Sequence, residues 1–154
     1  MRRSRSMIIL PVVLSAVTLA NAGSGHVVVT PGSLRWTDGP DSLPPGAKAA
    51  VLEGDPKNAG LFTMRLRLPA DYRIPAHWHP ADEHVTVLSG TFYMGLGDKF
   101  DASKGNRLPT DSFSVMPAKT NHFGFTKEET VLQIHGMGPW AITYVDAAND
   151  PRKK

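Results

Sequence analysis

The stretch HWHPADEHVTVLSG, residues 77–90, begins with three of the chain's six histidines and two acids within eight residues. A hydrophobic core has no use for such a cluster and a solvated loop gains little from it, so the residue types point to metal ligation or acid–base work. Pro75 and Pro80 restrict the backbone on either side of His77-Trp78-His79. In an extended segment residues i and i+2 face the same way. His77 and His79 therefore point together, and Trp78 points to the other face. Glu83 opens the following strand on the face it shares with Val85 and Val87, leaving His84 and Thr86 on the opposite side. Two imidazoles and a carboxylate converging from neighbouring strands make a first-row transition-metal site with open positions. His122, in MPAKTNHF after Pro117 and at the start of another strand, is a fourth candidate.

The elements that must hold these side chains read as strands. Short runs rich in β-branched and aromatic residues recur between turn signals, without any long helical periodicity. The expected strands are 26–30, 33–37, 48–53, 61–68, 83–88, 91–96, 112–116, 122–126, 130–135 and 140–145. Residues 64–68 alternate cleanly, with Met64, Leu66 and Leu68 on one face and Arg65 and Arg67 on the other. Ser89-Gly90 reads as a tight hairpin turn, and residues 54–60 as a second turn cluster. The long irregular piece 97–111, with a short helix expected around 100–104, is a surface excursion or a lid. About ten short strands in one such chain indicate a closed barrel or a double-sheet jelly roll.

Residues 1–22 stand apart from this pattern. Arg2, Arg3 and Arg5 precede an apolar run from Met7 to Ala20, and Ala20-Asn21-Ala22 is an A-x-A cleavage site, so the segment reads as a signal peptide cut before Gly23. The expected location is periplasmic or secreted. The formal charge of +3 comes from those three arginines. Without them, 14 Lys/Arg face 14 Asp/Glu, and a neutral chain lacking a basic stripe gives no electrostatic case for nucleic acid. No membrane association is expected after cleavage. The absence of cysteine leaves stability to packing and to any bound metal. Residues 23–154 suit one domain.

The run His77-x-His79-x3-Glu83-x6-Gly90 matches the first motif of the cupins, and Pro117-x4-His122 matches the core of the second. On these residues the chain resembles a single-domain bacterial cupin from residue 23 to 154. Two leading glycines of the motifs are Asp71 and Asp111 here, and the glycine two after the proline is Lys119. These departures bear on turn geometry and leave the ligands in place. The resemblance implies an all-β jelly-roll barrel of two antiparallel sheets. Inside it His77, His79, Glu83 and His122 would bind one divalent transition metal, whether Fe, Mn, Ni, Cu, Co or Zn. It also implies a homodimer paired through edge strands.

The other polar residues divide between bland and functional readings. Arg65 and Arg67 are a solvated strand face or a bidentate carboxylate anchor. His135 is a partner to a ligand, a pocket acid–base, or a satisfied core histidine. His84 is a substitute ligand for Glu83 only if the strand phase slips, and His26 is a surface residue. Tyr93 and Gln133 are candidate pocket liners. Trp78, Phe92, Phe113, Phe123, Phe125 and Trp140 supply core or an apolar pocket. No residue is assigned a catalytic role. An open-coordination metal would suit a dioxygenase-like enzyme or Lewis-acid chemistry on a small oxygen-containing substrate. The alternatives are a non-catalytic module for a small ligand or metal, and a barrel that carries no metal.

Overall fold

Alternation of apolar and polar side chains builds two sheets that face each other across one core. The computed structural model describes residues 25–153; the expected signal peptide and its cleavage site lie outside the described residues. The strands are β1 (Thr37–Asp38), β2 (Lys48–Glu53), β3 (Gly60–Leu68), β4 (Arg73–Trp78), β5 (Glu83–Ser89) and β6 (Thr91–Leu96). They continue with β7 (Asn106–Pro109), β8 (Phe113–Met116), β9 (His122–Thr126), β10 (Thr130–Gly138) and β11 (Thr143–Tyr144). One sheet has the order β1-β2-β3-β10-β5-β8 and the other β11-β4-β9-β6-β7. The pairings are antiparallel. This is the expected jelly roll.

The core lies between the sheets. Phe62, Met64, Leu66 and Leu68 of β3, Val85 and Val87 of β5, and Leu132 and Ile134 of β10 meet Phe92 and Met94 of β6, all buried. Each such side chain contributes about 1.5–3 kcal/mol through burial. The polar partners in β3, β5 and β10 stand on the outer face of the six-stranded sheet.

Residues 26–30 form no strand, although three valines in a row suggested one. Val27 and Val28 are more than half exposed, and β-branched composition makes a strand only where a neighbour and a buried face exist. The strand expected at 33–37 reduces to the two residues of β1, and that at 140–145 to the two of β11. Conversely, β4 and β7 are strands the sequence pattern does not announce. Between β6 and β7 the chain passes over the outer face of the five-stranded sheet. There Phe100 packs on Phe123 and Phe125, ring centroids 5.2 and 5.5 Å away. The 97–111 excursion is thus a cover for the back of that sheet, with one 3-10 turn at Ala102–Lys104 and Asp101 as its cap.

The three residues that replace motif glycines share one backbone property. Asp71, Asp111 and Lys119 have φ of 58°, 70° and 60°, and among the described residues they are the non-glycines at positive φ. Aspartate tolerates this region by local hydrogen bonding, whereas lysine has no such help. The Lys119 N–H also donates to the His79 carbonyl at 2.8 Å, so this turn is anchored to the histidine segment. A left-handed conformation costs an L-residue roughly 1–2 kcal/mol, and glycine gives back part of the gain through unfolded-state entropy. Lys119→Gly is therefore expected to stabilise the fold by up to about 1 kcal/mol in urea denaturation. A clear loss of stability would show that the lysine side chain is needed there.

Candidate metal centre

His77 reaches the interior through an irregularity in β4. Ile74 pairs with Gly124 and His77 with His122, so β4 carries one more residue than β9 over this stretch. A bulge of this kind re-aims the side chains beyond it. It lets Ile74 and His77, an odd number of positions apart, both line the cavity. Pro75 sits inside the bulge, where its missing N–H deprives no ladder of a bond. Beyond the end of β4, His79 turns inward again. Glu83 opens β5 and pairs with Met116, and the Asp82 carboxylate accepts the Ala118 N–H at 2.8 Å. These links fix the first histidine segment against the loop that leads into His122.

Each of the three rings is oriented by a backbone carbonyl. Nδ1 of His77 lies 2.7 Å from Pro75 O, Nδ1 of His79 lies 2.8 Å from Ala141 O, and Nδ1 of His122 lies 2.9 Å from Thr120 O. A carbonyl only accepts, so each Nδ1 donates, and each neutral ring turns its Nε2 lone pair toward the centre. The histidine ligand atoms lie within 4.8 Å of one another. Glu83 closes the group, with Oε1 3.5 Å from His79 Nε2 and Oε2 3.5 Å from His122 Nε2. All four side chains are buried.

Spacings of 3.5 Å are too long for good hydrogen bonds, and among the described residues the buried Nε2 of His79 has no partner. They are the spacings expected of atoms arranged around an ion. Two ligands at about 2.0–2.2 Å stand about 3 Å apart in near-perpendicular directions and about 3.4 Å apart in tetrahedral ones. The buried His77, His79 and His122 triad can therefore hold a metal, and the donor set fits one.

The electrostatics agree. Burial, followed by the His122 and His79 rings, pushes the His77 imidazole down to about 3. Burial likewise lowers His79. For Glu83 burial acts upward, but His79, then His122 and His77, outweigh it and hold the carboxyl at about 2. His77 and His79 are thus held neutral beside an ionised Glu83, the protonation states that metal ligation requires.

Around the polar cluster the walls are apolar, including Leu66, Ile74, Phe92, Leu132 and Ile142. Gly124 has no side chain because a Cβ there would meet the Phe92 ring at 2.4 Å. The space left is about 20 Å³, room for about one water. Trp140 stacks on His79 at 4.4 Å and 16°. It also borders an outer groove of about 500 Å³, so its indole forms part of the wall between the groove and the interior. Its buried Nε1 has no hydrogen-bond partner among the described residues.

Several expected pocket residues lie elsewhere. Arg65 Nε donates to Gln133 Oε1 at 3.2 Å, and the Arg67 guanidinium lies 4.3 Å from the centre of the Trp36 ring. Both arginines and Gln133 occupy the outer face of the six-stranded sheet, because the strand alternation that buries Met64, Leu66 and Leu132 turns them outward. Tyr93 stacks on Phe125 at 4.7 Å on the back of the other sheet. His84 points outward as the strand phase required, and His135 joins it there instead of approaching the ligands. Of the aromatic residues, Phe92 and Trp140 line the interior; Trp78 is half-buried and His26 exposed. The carbonyls of Pro75, Thr120 and Ala141 carried no sequence signal, since every residue has one.

A jelly roll of two antiparallel sheets with such a buried histidine triad at its centre has the architecture of a cupin. The family model described as the ChrR cupin-like domain matches residues 24–141, and the chain belongs to that family. No curated protein matches the chain. Among solved structures, a putative acetylacetone dioxygenase from Methylibium petroleiphilum PM1 is similar at 19% identity. That likeness covers 82% of this chain and 85% of the other, with a TM-score of 0.62. An RmlC-like cupin from Shewanella frigidimarina is similar at 15% identity, covering 74% and 91%, with a TM-score of 0.57. The Rhodobacter sphaeroides SigE complex with the anti-sigma ChrR is similar at 15% identity, covering 70% and 50%, with a TM-score of 0.51. These likenesses carry the fold alone. Among the described residues no helix is long and apolar enough to cross a membrane.

Proposed function

We propose that this cupin holds one divalent transition metal on His77, His79, His122 and Glu83 and acts as a metal-dependent enzyme on a small oxygen-containing molecule. The observation that carries the metal assignment is the orientation of three Nε2 atoms toward one point by three carbonyl-bound Nδ1 atoms. A metal there would supply Lewis acidity and an open position for an oxygen ligand. The chain's own contribution is to hold His77 and His79 neutral and Glu83 ionised, and to exclude bulk water with apolar walls that include Trp140. Glu83, facing His79 and His122, is positioned to keep the centre's charge low.

A second reading, a non-catalytic module that holds the metal and a ligand no larger than water or dioxygen, is favoured by the interior volume of about 20 Å³. An organic substrate would require Trp140 to move. We also place the chain in the periplasm or outside the cell, as a homodimer, on the strength of the signal-like residues 1–22 and the resemblance to cupins. One preparation tests the set. Protein recovered from cells should begin at Gly23, weigh as two copies by light scattering, and carry one equivalent of metal by elemental analysis. Oxygen uptake with small dicarbonyls, catechols or organic acids, lost on chelation, is expected of the enzyme. Stoichiometric metal without turnover of any of these would favour the module, and metal-free protein that takes up no added divalent ion would refute both.

A further inference from the structure

The interior centre uses three of the six histidines, and two of the remaining three meet on the opposite side of the six-stranded sheet. His84 of β5 and His135 of β10 are direct partners in the antiparallel ladder. Their rings lie 4.8 Å apart at 20° to each other. Both are half-buried on the outer face. Their neighbours along the same row are Thr63 of β3 and Val115 of β8, with Phe113 6.1 Å from His84. Thr86 and Gln133 stand in the adjoining row. The nearest charged groups in these rows are Arg65, beyond Gln133, and Glu53, beyond Thr63, and neither histidine has a carboxylate partner among the described residues. Nδ1 of His84 is enclosed and has no hydrogen-bond partner there either. Two polar rings are thus pressed together where no hydrogen bond among the described residues uses their nitrogens.

We propose that His84 and His135 form a second divalent-metal site, a cross-strand pair that chelates one Ni2+, Cu2+ or Zn2+ with water completing the coordination. Partners directly opposite on antiparallel strands keep their Cβ atoms about 4.5–5.5 Å apart, so the ladder itself sets the ligands side by side before any ion arrives. Two imidazole–metal bonds of about 2.0–2.1 Å at near-right angles need nitrogens about 3 Å apart, which stacked rings reach by a small rotation. Burial, then the His84 ring, lowers the His135 imidazole, which leaves its lone pair free at neutral pH. The ligand type suits borderline cations of the later first row and disfavours Mg2+ and Ca2+, which prefer oxygen. With two protein ligands the site is weaker and faster-exchanging than the interior one. It shares no ligand with that centre and does not depend on it.

The test is calorimetric titration of Ni2+ into chelator-treated full-length protein, in wild type and in the His122→Ala background where the interior set is broken. His135→Gln and His84→Gln should each remove one equivalent, or weaken it at least tenfold, in both backgrounds, while His26→Ala leaves it. Cu2+ bound in the His122→Ala background should show two nitrogen ligands by electron paramagnetic resonance. Unchanged melting temperature of the metal-free glutamine variants separates lost ligation from misfolding; if one variant misfolds, the other carries the comparison. Equal numbers of equivalents with and without the pair, or loss of the weaker equivalent in His26→Ala, would overturn the proposal. Should the interior set fail to take metal at all, wild type would still bind a single Ni2+ that His135→Gln removes.

Discussion

Replacing His79 or His122 by alanine is expected to abolish the tight equivalent of bound metal, lowering affinity by well over a hundredfold. Loss of a mere outer partner to a ligand typically costs 10–100-fold, and here a direct donor is removed from a buried set of four. The two histidines also flank Glu83, each 3.5 Å from one of its oxygens. Either deletion therefore leaves the carboxylate in an apolar cavity with one side uncompensated. The cavity that replaces the ring cannot be filled by the rigid walls around it. His84→Ala and His26→Ala should retain the tight equivalent, because one faces the outside of the sheet and the other is exposed. Elemental analysis after gel filtration reads the outcome directly. Metal retained at full stoichiometry in His77→Ala/His79→Ala would mean that the ion sits elsewhere.

The metal-free protein should lose stability steeply on acidification. The unfolded chain takes up a proton on His77 near 6.5, but the folded chain does so only near 3. Between these values the unfolded state binds more protons, so stability is full above about pH 6.5 and falls as pH drops toward 3. His79, also lowered by burial, acts with the same sign. Glu83 adds to the slope at the lower end: its contribution is present above 4.5 and is lost as pH falls toward 2. Together these groups should remove on the order of a few kcal/mol between pH 7 and pH 4. Urea midpoints of chelator-treated protein at pH 7.5, 5.5 and 4 measure it, and His77→Leu should flatten the upper part of the curve. A midpoint that does not move between pH 7.5 and 4.5 would contradict the burial of neutral rings described above.

The candidate ligands were legible because metal chemistry constrains residue type and spacing together. His77, His79 and Glu83 declare themselves by phase along an extended chain, and the structure keeps that phase at β5. What the sequence could not show is how β4 brings His77 inward. The one-residue bulge at Pro75 is a matter of register between two strands, and register is invisible in either strand alone. β4 itself escaped notice because RIPAHW has a proline and little of the β-branched alternation that marks β3 or β10. The reverse error, a strand at HVVVT, came from composition with no partner to pair against. Arg65, Arg67, Gln133 and Tyr93 drew attention as polar groups near the expected mouth, yet which side of a sheet faces the cavity follows from packing the two sheets together. The three positive-φ residues were found by the opposite logic, since a missing glycine at a turn still leaves the turn to be made.

One strand of the five-stranded sheet has a consequence for the order in which this molecule comes apart. All five residues of β9 are buried, with His122 and Gly124 toward the cavity and Phe123 and Phe125 under Phe100. Its backbone is paired on both edges, to β4 and to β6. The amide hydrogens of such a buried, doubly paired strand are expected to be among the better protected. On the other flank of the site, β11 has two residues, and the carbonyl that orients His79 belongs to Ala141 just before it. The centre therefore joins a buried strand paired on both edges to a two-residue edge strand. Fraying of β11 is expected to loosen the carbonyl that orients His79 while β9 still holds His122, so amide exchange at Thr143 and Tyr144 should outpace that at Phe123 and Phe125.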